Sequence, residues 1–418
     1  MKLEITKSNI NIFAFFLYLS LLLGFLYEEN LNYGSYYDWI NVYIQPIKDF
    51  SVNFKETLLT YDKYGQRHSP IYLIFLSIFL DLGLSFDQIR IFHLHLSIPL
   101  IFIFYRCLKL KFDSVKDEHL KLLSLIIFLS PTFRSLSIWP DSRLPGLIFF
   151  ALTIYYFLKF QKSNSNKYIW FTSLSLIASS YISPNFSFFF IYFLFFFLKK
   201  MELKQIFLLL SFNFLSAIPI FYYIFILDVN FLISGSTPGQ SGGQIALDFN
   251  LSNKIMIISS IVFFHLSPVL LNNKLYMDFY YFILRKGLVL FSSILILAFF
   301  FDYQTIYTGG GVFFNLSNLL FNNNYLFFII SFFSVSFLVF FSQKDLNNFY
   351  LLSLLILSNL QNSIYHKYYE PLVLIMFFTL LQNVGAKSFL KNKVNIFYLY
   401  ILSIIYILMR LFKIVFLV

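Results

Sequence analysis

Residues 323–342 read NNYLFFIISFFSVSFLVFFS, twenty residues without one charged side chain. As a helix rising 1.5 Å per residue they cover about 30 Å, the thickness of a bilayer's hydrocarbon core. A soluble helix of that length needs a polar face, and this stretch has none. Comparable apolar runs lie near 9–27, 90–106, 120–135, 143–159, 168–184, 186–198, 205–228, 255–271, 287–302, 349–365, 369–386 and 394–416. They predict an all-α, polytopic integral membrane protein of about 13 transmembrane helices. Composition agrees: 59% of the 418 residues are hydrophobic and 12% are charged, against roughly 25% charged in a soluble domain. A soluble enzyme and a nucleic-acid binder are thereby excluded, in spite of the net charge of +11. The lone Cys107 excludes an internal disulfide and any cysteine-based metal cluster. Glu28-Glu29-Asn30 follow the first run where a cleavable leader would carry small residues, so that run is expected to stay as a span.

One further apolar run, 70–86, decides the sidedness of everything after it. Lys and Arg accumulate in short cytoplasmic loops. With the N-terminus inside and 70–86 not crossing, the inner segments hold Lys2 and Lys7, then those between Arg106 and Lys121, Lys159 and Lys167, and Lys199 and Lys204. They also hold Lys274, Arg285, Lys286, Lys344, Lys387, Lys391 and Lys393. That makes 20, against Arg134, Arg143, Lys254 and Lys367 on the other side outside the first long loop. Letting 70–86 cross inverts nearly all of this. Residues 28–89 are therefore expected to form a large outer loop with interfacial helices, inside a single membrane domain over 1–418. The remainder of an N-terminal module would cover 90–228, and C-terminal helices 229–418. The inner loops have no room for a nucleotide-binding domain and no GxxxxGK[ST] motif occurs, so an ATP-driven pump subunit is excluded.

The outer loop concentrates the polar chemistry: Glu28, Glu29, Asp38, Asp49, Lys55, Glu56, Asp62, Lys63, Arg67 and His68. A carboxylate held among aromatic rings at a membrane surface, as in Tyr36-Tyr37-Asp38-Trp39, can act as general base toward an acceptor hydroxyl. Basic side chains nearby can hold a lipid phosphate. The plainer alternatives are that the loop simply carries solvated charge, or that Asp38 caps a helix beginning near Trp39.

A first span, an outer acidic residue, a segment like His-Pro-Pro (here His68-Ser69-Pro70) and a downstream arginine (Arg90) resemble the N-terminal signature of GT-C membrane glycosyltransferases. That group includes the protein O-mannosyltransferases and the aminoarabinose transferases. Trp139-Pro140-Asp141 resembles the family's second outer loop, and Tyr365-His366-Lys367-Tyr368-Tyr369-Glu370-Pro371 its late segment near the lipid phosphate. Two positions depart from the pattern: Trp39 stands where a second acid is usual, and Ser69 where the first proline is. The resemblance implies a polyprenyl-phosphate sugar as donor, with Asp38 as catalytic base. Arg67, His68, Arg90, His366 and Lys367 would bind the donor phosphate, and Asp141 would be an acceptor-side or second acid. The acceptor would be a lipid, a glycan or a protein, on the outer face of a bacterial inner membrane. A divalent metal is compatible with such chemistry, but no motif calls for one.

Other residues carry less. His93 and His95 point about 200° apart on a helix and cannot clamp one ion; with His119 and His265 they read as packing or loop residues. Pro238-Gly239-Gln240-Ser241-Gly242-Gly243 reads as a flexible loop over the acceptor. Gly309-Gly310-Gly311 reads as another such loop, or as a helix start pressed against a second backbone. The rival function is a flippase or transporter of lipid-linked oligosaccharide, which needs charges on the spans themselves. An O-antigen polymerase or ligase is a nearer rival, but its large loop usually falls late in the chain. The topology is checked by cysteine labelling in a Cys107→Ala background. Ser241→Cys should react from outside and Ser114→Cys only after permeabilisation; the reverse pattern would invert the orientation.

Overall fold

The computed structural model describes residues 7–31, 33–65, 68–231, 249–304 and 309–416. They are helical almost throughout, with no β-strand among them. Among the described residues eight helices are long and apolar enough to cross a membrane: Ser8–Leu26, Phe86–Lys111, Arg143–Ser163, Leu203–Ile226, Leu251–Leu271, Asn273–Phe299, Tyr325–Ser342 and Lys393–Ile414. There are up to nine if Asp117–Leu129 and Pro131–Ile138 form one span. Large apolar side chains on these helices face outward, Phe207 at 70% exposure and Leu288 at 82%, which suits lipid and not water. The chain is an all-helical protein of the integral membrane kind.

Several expected spans take other forms. The inner loop expected at 272–286 is instead helical: Asn272 accepts the Leu275 N–H at 3.4 Å, and one helix runs from Asn273 to Phe299, about 40 Å. The run at 349–365 is helical only to Leu357. The run at 369–386 contains the eight-residue helix Leu372–Thr379, about 12 Å long. The segment expected as the first outer loop is a string of short helices, Tyr33–Asp38, Ile44–Val52, Phe54–Leu59 and Pro70–Asp81. In the last, the Ser69 hydroxyl accepts the Ile71 N–H at 3.4 Å and Pro70 fills the first turn, where its missing N–H costs nothing. Its twelve residues reach about 18 Å, short of a membrane crossing.

The chain separates into two compact units where a single domain was expected. The first is Met1–Lys111, Pro131–Gly242 and Arg410–Val418; the second is Phe112–Ser130 and Gly243–Met409. Residues 112–130 join the later chain through specific bonds: His119 Nδ1 lies 2.7 Å from the Leu390 carbonyl and the Tyr400 hydroxyl donates to the Leu122 carbonyl at 2.7 Å.

In the first unit, Arg143–Ser163 packs along Lys167–Ile182 and Ser97–Lys111. Without a hydrophobic drive between helices in lipid, small residues allow the close approach. Ser179 donates to the Gly146 carbonyl at 2.8 Å. In the second unit, Leu251–Leu271 packs against Gly311–Phe321 and Tyr325–Ser342, with Ser259, Ser260, Ser331 and Ser334 buried. A Cβ on Gly146 would stand 2.6 Å from the Ser183 oxygen. Gly146→Ala should therefore cost about 1–3 kcal/mol through overpacking. Denaturation in detergent measures it; unchanged stability would mean that Ser183 simply swings aside.

Candidate functional site

In the first unit the charges of Asp38 and Asp141 bear on one side chain. Asp38 closes helix Tyr33–Asp38 in helical conformation and makes no side-chain cap bond, so the capping role does not apply. The chain continues straight into a π-helical turn, Trp39–Tyr43, a wide turn that often marks functional positions. The turn carries Tyr43 into a fully buried place. The Tyr43 phenol is held well above its usual pKa by burial first, then by the negative charges of Asp141 and Asp38. Two carboxylates 103 residues apart in the chain thus act on one hydroxyl. The charge of Asp141 also reaches Tyr72, whose phenol is pushed up by burial and then by that carboxylate.

Asp141 is completely buried and accepts the Arg143 N–H at 2.8 Å. The adjacent Ser142 hydroxyl lies 3.2 Å from His68 Nδ1. The His68 ring stands edge-on to Tyr43, centroids 5.1 Å apart, and the Tyr61 hydroxyl donates to its carbonyl at 2.8 Å. Asp38, His68 and Asp141 are therefore brought together around Tyr43 and Ser142. Sequence reasoning missed those last two, for neither residue type announces itself; their only signal was closeness in sequence to Asp38 and Asp141. Arg67 lies outside the described residues, as does the glycine-rich segment 238–243.

Arg90 is 6% exposed and stacks over the rings of Trp139 at 3.8 Å and Phe25 at 4.9 Å. Its Nη1 pairs with the exposed carboxylates of Asp87 at 3.1 Å and Glu28 at 3.9 Å. Nε and Nη2 are buried and have no acceptor, an arrangement that can take an anion. Two further loop acids are committed elsewhere. Glu29 binds Arg134 through both oxygens at 2.7 and 2.6 Å, and its carbonyl accepts the Trp139 indole at 2.9 Å. Asp49 accepts from the Tyr64 hydroxyl and from Gln45.

His366 and Lys367 belong to the second unit, in the turn His366–Tyr368. The segment leading to them is not helical and runs beside helix Leu251–Leu271. The Lys254 ammonium donates to the Asn359 carbonyl, and seven residues later the His366 ring stands 5.5 Å from His265. Lys254 and His265 are about 16 Å apart along the helix axis. The late segment therefore runs alongside this helix. Non-helical backbone at membrane depth survives only when protein supplies its hydrogen bonds. Gly310 N–H donates to the Ile364 carbonyl at 2.9 Å and Ile364 N–H to the Tyr303 hydroxyl at 3.1 Å. Gly309, at φ +103°, has no room for a Cβ against that carbonyl. Of the two readings of the glycine run, the close backbone approach is the one seen. Lys367 is buried, its ammonium 5.8 Å from the Tyr365 ring centre.

Among the histidines, His93 is a packing residue as expected, held between the Tyr72 hydroxyl and the Leu136 carbonyl. His265 is not: it faces His366 and Glu370. No family model matches the chain, and neither does any curated protein or solved structure.

Because Glu29 and Arg134 are both largely buried, removing one leaves the other charge unpaired. Glu29→Ala should cost about 3–5 kcal/mol. Asp49 is half-buried and bonded to the neutral Tyr64 and Gln45, so Asp49→Ala should cost about 1.5–3 kcal/mol. Thermal unfolding of the two variants in detergent compares them; equal losses would remove the distinction.

Proposed function

We propose that this protein is a membrane glycosyltransferase of the GT-C type, transferring a sugar from a polyprenyl-phosphate donor to a lipid, glycan or protein acceptor. What supports this reading is that the negative charges of Asp38 and Asp141 both bear on the buried Tyr43 phenol, whose ring stands against His68. Asp38 is half-buried and takes the proton from the acceptor hydroxyl. The oxygen attacks the anomeric carbon with inversion, and the bond to the phosphate oxygen breaks as the phosphate departs with the electron pair. Arg90, with two unused guanidinium nitrogens, neutralises the phosphate, together with Arg67. His68 is positioned by Ser142, and the charge of buried Asp141 bears on Tyr43 and Tyr72. The donor is activated by its own phosphate, so no nucleotide is required. The reading puts the site on the outer face of a bacterial inner membrane.

A second reading, a transporter of lipid-linked sugars, draws on Lys254 and Lys367, cations buried on or beside a membrane-length helix, which can mark a substrate path. The test compares purified parental protein with Asp38→Asn, using a labelled polyprenyl-phosphate sugar. Transfer should fall about 10²–10⁴-fold while donor binding persists. Transfer at the parental rate would overturn the assignment of Asp38. Translocation of the lipid in vesicles without any transfer by the parental protein would favour the transporter.

A further inference from the structure

The second unit holds a cluster that the proposed transfer step does not use. Helix Leu251–Leu271 carries His265, the turn His366–Tyr368 carries His366, and Glu370 follows it. One potential ligand atom from each of these three residues lies within 4.8 Å of the other two. Two of them hold a donor atom that nothing satisfies: His265 Nε2 and Glu370 Oε2 are buried without a hydrogen-bond partner. Glu370 is 5% exposed. Both residues line a cavity of about 40 Å³ whose walls include Ile127, Phe264 and Leu399. A bare carboxylate oxygen and a bare imidazole nitrogen are costly in such surroundings. A cation placed between them satisfies both at once.

We propose that His265, His366 and Glu370 form a binding site for one divalent first-row transition-metal ion, Zn2+ foremost. Two imidazoles and a carboxylate suit zinc and its neighbours, whereas Mg2+ and Ca2+ take sets made of oxygens. Tetrahedral bonds of about 2.0–2.1 Å put ligand atoms about 3.3 Å apart, so the three side chains close by about 1.5 Å at most, within the reach of torsional adjustment. His366 yields one long contact in doing so: either the Val312 N–H at Nε2, 3.2 Å away, or the Tyr406 hydroxyl at Nδ1, 3.4 Å away. The contact that remains orients the ring, as outer partners of metal-bound histidines do. Three protein ligands leave a fourth position, and the cavity has room for the water that fills it. The ion would tie the non-helical segment to Leu251–Leu271, and none of Asp38, His68 or Asp141 takes part.

The test uses full-length protein purified in detergent without a polyhistidine tag, stripped with EDTA and then titrated with Zn2+. Metal content by mass spectrometry should reach one ion per chain, and the unfolding temperature should rise with Zn2+ but not with Mg2+. Co2+ should give the visible absorption of a tetrahedral site. His265→Gln, His366→Gln and Glu370→Gln should each weaken Zn2+ binding at least about tenfold. His119→Gln, in the same unit with its ring nitrogen on the Leu390 carbonyl, should leave it unchanged. Parental protein that retains no zinc and shows no thermal shift overturns the proposal whatever the variants do, as does parental affinity in all three variants.

Discussion

The constraint on which the rest depends is that the membrane interior offers no water to a polar group. Every N–H, carbonyl and charge placed there must be satisfied by protein. Helices do this for the backbone of most of this chain, but Ser358–Tyr365 leaves the helix and still runs beside Leu251–Leu271. Lys254, Tyr303 and Gly310 each supply one bond to that segment. Gly309 and Gly310 serve because their backbone sits at positive φ and against a carbonyl, where any side chain would clash. Lys254 is buried for the same reason: its ammonium answers a carbonyl that no helical bond reaches.

The first unit meets the constraint differently. Arg134 is satisfied by Glu29 and by the Ser20 hydroxyl and carbonyl, and the Trp139 indole bonds to the Glu29 carbonyl. These contacts join the end of the first span to the segment that carries Asp141. Arg90 is treated otherwise, its guanidinium resting on the faces of Trp139 and Phe25 with two nitrogens unanswered. A group left incomplete where its neighbours are fully bonded is where a ligand has something to gain.

The same contrast separates the histidines. His93 has both ring nitrogens occupied and behaves as a core residue. His265, grouped with Glu370 and His366, has a bare Nε2, and Glu370 has a bare oxygen. Residue type does not distinguish the two: both are histidines carried on helices.

By itself the sequence determined the helical membrane class, because twenty uncharged residues can satisfy their backbone in lipid only as a helix. It also marked the early outer segment as the place of greatest polarity, since Asp38 and His68 stand out against apolar surroundings. It overcounted long spans after 345, where apolar runs at 349–365 and 369–386 are only partly helical; hydropathy records what a segment may be buried in, not the backbone path it takes there. The pairing of Asp38 with Asp141 at Tyr43, the commitment of Glu29 to Arg134 and the grouping of His265 with His366 were decided by tertiary structure alone. Each joins residues some 100 positions apart, and such distances are set by how helices pack, which periodicity within one segment does not encode.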